Sequence, residues 1–192
     1  MESLRGKVAI VGAADTDVGV VPQFSTIQMY VNAAKRALED AGITKDDVDG
    51  LITCTSFVEP YMYHAEMIAE YMQLFPRYCL NVATGGGTTL AIMHHAASAI
   101  ANGVCNTVLI TMADNMLSGL SRDRAIEAMS TAGHAQFERP YGPPIPAFYA
   151  LIAQAHMHAY GTTSEQLAAV AVACRKHASM NPAAQMRDPI TV

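Results

Sequence analysis

The residues of this chain best placed to do chemistry are Ala83-Thr-Gly-Gly-Gly-Thr88, a turn between an apolar run at 77–82 and an uncharged stretch at 88–101. Three glycines let a ligand or a partner backbone approach closely. If a helix starts at Thr88, its free N–H groups and the positive end of its dipole point at the turn, a setting suited to an oxyanion or a thiolate. The turn holds no Cys or Ser, however, only Thr84, Thr88 and Thr89 as hydroxyls, and no base stands beside them in sequence. A plain tight strand-to-helix turn therefore remains open beside a binding role for Thr84, Gly85, Gly86, Gly87 and Thr88.

Other candidates are weaker. Gly12 follows an apolar run, but the GxGxxG of a dinucleotide site is missing. His94 and His95 are adjacent and point about 100° apart on a helix, so they do not chelate one metal as an i, i+4 pair does; hydrogen-bonded core histidines are the expectation. His156 and His158 lack metal spacing too. The four cysteines, Cys54, Cys79, Cys105 and Cys174, form no CxxC pair and read as reduced thiols, with Cys79 and Cys105 on strands. No metal site is expected.

The elements that must carry the turn alternate between strand and helix. Val8–Val11 (VAIV) reads as a first buried strand ending at Gly12. Ile27, Tyr30, Val31, Ala34, Leu38 and Ala41 form one apolar helical stripe, stopped by Gly42. Strands at 50–55 and 77–82 flank a Met-rich helix at 61–73, whose methionines read as adaptable packing. Between Tyr78 and Ser121 the only charge is Asp114, so the helix at 88–101 is expected to be buried on every face, with its neighbouring strand at 106–112 equally apolar. One sheet of a 192-residue chain does not supply that cover. It must come from further polypeptide, another subunit, or both. Residues 114–145 read as irregular, with a proline-stiffened loop at 138–146. Helices follow at 147–160 and, behind the capping-box pair Thr163 and Gln166, from 164 to about 179. The extended end at 181–192 reads as a chain cut in mid-course. An α/β fold is expected, with a core at 1–113 and an α-rich loop region with two helices at 114–192.

Composition narrows the function. The chain is 51% apolar and 15% charged with a net charge of −5, which argues against disorder and against a polyanion-binding surface. No apolar run reaches membrane-spanning length, and the N-terminus carries no secretory pattern, so a cytoplasmic protein without a nucleic-acid partner or a membrane span is expected.

The turn before an uncharged helix, Ile100-Ala-Asn-Gly103 ahead of an apolar strand, and the stretches at 40–51 (DAGITKDDVDGL), 140–172 and 175–192 resemble the N-terminal half of a thiolase, and within that superfamily the sterol-carrier/lipid-transfer branch. The resemblance covers essentially the whole chain. It implies a layered α/β fold with a mixed sheet and a buried helix, of which this is the N-terminal half. It also implies a homo-oligomer, a complementary C-terminal half, and a coenzyme A thioester as substrate rather than a bound cofactor. In thiolases a nucleophilic cysteine opens the buried helix; counting back without gaps from Gly103 puts Gly86 there. The GGG turn is similar to cysteine-less relatives, among them aldolases that cleave steroid side-chain CoA thioesters with a partner protein carrying an OB-fold and a zinc ribbon. On that likeness Thr84–Thr88 lines the substrate pocket, Tyr141, Gly142 and Pro146 lie in a loop over the acyl or pantetheine group, and the acid–base residues lie in the absent half. Two alternatives accompany this retro-aldol lyase: an acyltransferase with its nucleophile supplied by Cys79 or another chain, and a non-catalytic acyl-CoA-binding or scaffold subunit.

Overall fold

A computed structural model describes residues 3–142 and 144–192. The chain divides into two compact units, Met1–Gly119 and Leu120–Val192.

In the first unit, α1 spans Thr26–Ala41. The Ser25 hydroxyl accepts the Gln28 N–H and the Gln28 side chain accepts the Ser25 N–H, so two otherwise unpaired donors are satisfied reciprocally. Gly42, at φ 69°, ends the helix in the left-handed conformation that glycine reaches without steric cost. Strand β1 (Gly50–Thr53), helix α2 (His64–Met72), strand β2 (Tyr78–Asn81), helix α3 (Thr88–Ala101) and strand β3 (Val108–Thr111) follow, then a short α4 (Met116–Gly119). The strands pair in the order β2-β1-β3, with Leu51 opposite Cys79 and Leu109. Both pairings are parallel, so the mixed sheet that was expected shows only its parallel part among the described residues.

Side chains alternate across such a sheet. Leu51 and Leu109 join Tyr30, Ala34, Leu38 and Ile68 in a core on the α1–α2 side, while Ile52 joins Val82, Ile92 and Ala96 on the α3 side. Asp49 ties the amino ends of β1 and β3 together by accepting the N–H groups of Asn106 and Thr107, each at 2.8 Å. Its partial burial works against the charge, but those hydrogen bonds win and hold its carboxyl below the usual range.

Three expectations change here. Residues 8–11 join no ladder, and Ile10 and Val11 are exposed, because no strand edge pairs with them. Helix α3 is buried only on its sheet face, through Thr88, Ile92, Ala96 and Ala99; Leu90 is 75% exposed and Met93 is exposed as well. The cover that its composition demands is not provided by its own unit. His94 and His95 lie on that open face, exposed, so they are not core histidines.

The second unit contains α5 (Arg122–Ser130), a 3₁₀ turn (Arg139–Tyr141), α6 (Ile145–Tyr160) and α7 (Ser164–Met180). Helix α5 falls in a stretch expected to be irregular: the Ser121 side chain caps it by accepting the Arg124 N–H at 3.3 Å. Helix α6 starts at Ile145, two residues earlier than the pattern suggested, since proline is tolerated in a first helical turn where its missing N–H has no partner to lose. Among the described residues no helix is long and apolar enough to cross a membrane.

Candidate functional site

The three parallel strands end side by side at Thr53, Asn81 and Thr111. Ligands of open α/β sheets bind beyond the carboxyl ends of the strands. The turn that follows β2 lies at this end. Gly85–Gly87 forms a 3₁₀ turn that runs straight into α3. Of its glycines only Gly85 has a positive φ, 65°, where a β-carbon is strained. A Cβ built on Gly86 meets nothing within 4 Å, and one on Gly87 meets only Thr84 Oγ1 at 3.9 Å. The turn thus has room for a side chain at position 86 and carries none.

Thr88 holds the turn in shape. Its hydroxyl donates to the Gly85 carbonyl at 2.7 Å and accepts the Thr84 N–H at 3.0 Å, while the Thr84 hydroxyl approaches it at 3.4 Å. Thr88 is buried and its hydroxyl proton is committed, so it is not a nucleophile. Thr84 and the three glycines are exposed. The first N–H groups of a helix have no acceptor within it, and the exposed glycine turn sits at the positive end of the α3 dipole. This arrangement can bind an oxyanion or polarise a carbonyl; it carries no thiol with which to form an acyl-enzyme.

The neighbouring loops are fixed by Asp114, the lone charge between Tyr78 and Ser121. Its carboxylate accepts Ser56 Oγ at 3.0 Å and the N–H groups of Phe57 and Asn115 at 2.7 and 3.0 Å, tying the loop after β1 to the loop after β3. Sequence reasoning missed this role, although the isolation of Asp114 in an uncharged stretch was the signal for it. Nearby, Tyr30 donates its hydroxyl to the Cys54 carbonyl at 2.6 Å, and buried His64 stacks edge-on to Tyr30 with ring centroids 5.1 Å apart. Burial pushes the His64 imidazole below its ordinary range, with Asp114 pulling weakly the other way.

The three thiols of the first unit offer no substitute nucleophile, while Cys174 lies exposed in the second unit. Burial raises Cys79, with Glu66 adding to the shift, and burial also raises Cys54 and Cys105. A raised thiol is protonated at neutral pH and reacts slowly. Among the described residues no cluster of His, Cys, Asp or Glu is arranged to hold a metal ion. Tyr141, Gly142 and Pro146 belong to the second unit. There Tyr141 ends the 3₁₀ turn 85% exposed, Gly142 takes φ 66°, and Pro146 sits in the first turn of α6 rather than in a loop. Pro143, also part of that expected loop, lies outside the described residues.

Residues 8–192 match the family described as thiolase, N-terminal domain. The chain belongs to the thiolase family. It is 38% identical over 198 residues to a 17-hydroxy-3-oxo-4-pregnene-20-carboxyl-CoA lyase of Mycobacterium tuberculosis, a match covering 98% of this chain and 50% of the lyase. It is 33% identical over 201 residues to a steroid side-chain-cleaving aldolase of Thermomonospora curvata, covering all of this chain and 50% of that one. Among solved structures, the Ltp2-ChsH2(DUF35) aldolase superposes with a TM-score of 0.75 at 32% identity, over 95% of this chain and 46% of that one. This thiolase chain therefore spans about half the length of the curated relatives it matches. Its layered α/β core and the reading of 78–101 as strand, turn and helix agree with that membership.

Proposed function

We propose that the chain is the N-terminal half of a thiolase-family lyase that cleaves a carbon–carbon bond of a 3-hydroxyacyl-CoA thioester by a retro-aldol step. The observation that carries this reading is Gly86: the position that opens α3 has space for a side chain and lacks the thiol that acyl transfer needs. In the step, a base removes the proton of the 3-hydroxyl, the oxygen forms a carbonyl, and the Cα–Cβ bond breaks. Its electron pair moves onto the α-carbon and the thioester oxygen as an enolate, which is then protonated to give the shorter acyl-CoA. The exposed turn at Gly85–Gly87, with the positive end of the α3 dipole behind it, stabilises the enolate oxygen, Thr84 lines the approach, and Thr88 keeps the turn in place. Tyr141, Gly142 and Pro146 border the acyl or pantetheine chain. The base is supplied by polypeptide outside this chain.

The relatives named as steroid side-chain lyases support a bulky polycyclic acyl group as substrate. The Ltp2-ChsH2(DUF35) aldolase supports a partner protein here, and the family resemblance gives that partner an OB-fold and a zinc ribbon. A homo-oligomer fits the unpaired outer edge of β2. No observation on the thiols favours the acyltransferase alternative.

The test uses the chain assembled with its complementary half and partner. A steroid 3-hydroxyacyl-CoA is expected to yield ketone and shortened acyl-CoA, and treatment of this chain alone with iodoacetamide before assembly is expected to leave the rate unchanged. Loss of activity on alkylation would place a thiol in the reaction and restore acyl transfer. Tight binding without cleavage would favour the non-catalytic subunit.

A further inference from the structure

His64 is the first residue of α2 and is 1% exposed. Neither of its ring nitrogens has a hydrogen-bond partner among the described residues. A neutral imidazole carries one N–H donor and one acceptor nitrogen, and here both are stranded away from water. Burying polar atoms without partners is unfavourable, so the ring is held in place by what packs around it.

Tyr30 of α1 packs edge-on to the imidazole, with ring centroids 5.1 Å apart. Tyr61, in the loop ahead of α2, packs tilted against it at 5.8 Å. The Tyr30 hydroxyl is already spent on the Cys54 carbonyl at 2.6 Å. Burial keeps the Tyr30 phenol and the Cys54 thiol protonated, so neither supplies a negative charge. Glu66, two residues along α2, is exposed. The charge that acts on His64 is Asp114, whose carboxylate is engaged elsewhere. It accepts Ser56 Oγ and the N–H groups of Phe57, Val58 and Asn115 at 3.0, 2.7, 3.3 and 3.0 Å. Three features therefore oppose a positive charge on this ring. It is out of water, it stands at the positive end of the α2 dipole, and its carboxylate neighbour is occupied.

The segment between these two side chains, Ser56–Tyr63, contains no helix or strand residue. Asp114 ties its first residues, and the buried ring of His64 ties its far end. Thr55 Oγ1, just ahead of it, accepts the Asn81 side-chain amide at 2.8 Å, so the segment starts at the strand ends that lead to the glycine turn.

We infer that His64 is an acid switch for the segment Ser56–Tyr63. Neutral, the imidazole stays between the two tyrosines and holds the segment down on the strand ends. Protonated, it leaves that seat, and the segment opens together with the first turn of α2. The sign follows from proton linkage. In the opened segment the ring has its ordinary pKa of about 6.5, and in the closed one burial lowers it. The open form binds a proton that the closed form refuses, so opening grows as pH falls below about 6.5. The switch does not rest on the retro-aldol reading, and its test needs no substrate.

Amide hydrogen exchange of the chain, corrected for the intrinsic effect of pH, is followed by peptide mass at about pH 7.5 and about pH 5. Peptides covering 56–66 should lose protection at least about tenfold at the lower pH, while those covering 27–41 of α1 keep theirs. His64→Phe keeps a ring between the tyrosines and removes the titrating nitrogens, so it should hold the protection at both pH values. The NMR shifts of the His64 imidazole give a second measurement on the parent chain, one that stands even where the variant does not fold. Their titration midpoint should coincide with the midpoint of opening. Equal opening of the parent and of folded His64→Phe in acid would overturn the inference. So would unchanged protection of 56–66, a loss shared by α1, or a His64 midpoint apart from that of opening.

Discussion

Helix α1 in the first unit and α7 in the second open with the same device. Ser25 and Gln28, like Thr163 and Gln166, exchange two capping hydrogen bonds. Helices α1 and α6 close alike as well, at Gly42 and Gly161 with φ of 69° and 70°. Yet the first unit buries Tyr30, Leu51, Ile52, Ile68 and Ile92 almost completely, whereas no described residue of Leu120–Val192 is buried. Tyr149, Leu151 and Ile152 on α6 are each about two-thirds exposed. Helix signals are local and are met within a few residues. A core requires a second layer, and within the first unit that layer is the sheet.

The comparison is broken most directly by truncating apolar side chains. Ile52→Ala, at a fully buried position on the central strand, should cost about 2–5 kcal/mol in urea unfolding. Leu151→Ala on α6 should stay within about 0.5 kcal/mol. An equal loss at both positions would mean that α6 has a core of its own.

The glycine turn offers a second contrast, this time within the site. Gly85→Ala forces a β-carbon into φ 65° and should cost about 1–2 kcal/mol, while Gly86→Ala, with open space and no positive φ, should be nearly neutral. By the same argument Gly86→Cys should fold and should be alkylated by iodoacetamide faster than Cys79. Equal costs for the two alanines would show that position 86 is crowded.

Removing the caps sharpens the comparison further. Ser25→Ala and Thr163→Ala each remove an equivalent hydrogen bond worth about 1 kcal/mol. The first should lower the global unfolding midpoint, because α1 is part of the core. The second should speed amide exchange in the first turns of α7 and leave the unfolding of Met1–Gly119 unchanged.

The smallest expected effect is that of pH. Folding depresses the His64 pKa below the ordinary value of about 6.5. The unfolded chain therefore binds a proton that the native state refuses, and stability falls as pH drops below 6.5. His64→Gln should flatten the stability profile between pH 6.5 and 5.5 relative to the parent, as read from urea midpoints. An unchanged slope would assign the acid sensitivity to other groups.

The order of elements from α1 to β3 and the turn at 84–88 were legible in the residues, because they depend on local rules: a stripe at 3.6-residue spacing, a cap, a glycine after the last turn. The fate of VAIV was not. Its composition calls for burial on two faces, and the tertiary structure leaves it outside the sheet, with Gly12 pressed against α1 and Ile10 exposed. Helix α3 shows the same division. Its lack of charge announced that it must be covered, while the structure decided that Ile92 and Ala96 meet the sheet and that Leu90 and His94 do not. Asp114 looked solitary in sequence and accepts four hydrogen bonds at the carboxyl ends of the strands, since its partners lie at 56–58 as well as beside it. Local propensity is written along the chain. Which faces are paired depends on residues far apart in sequence.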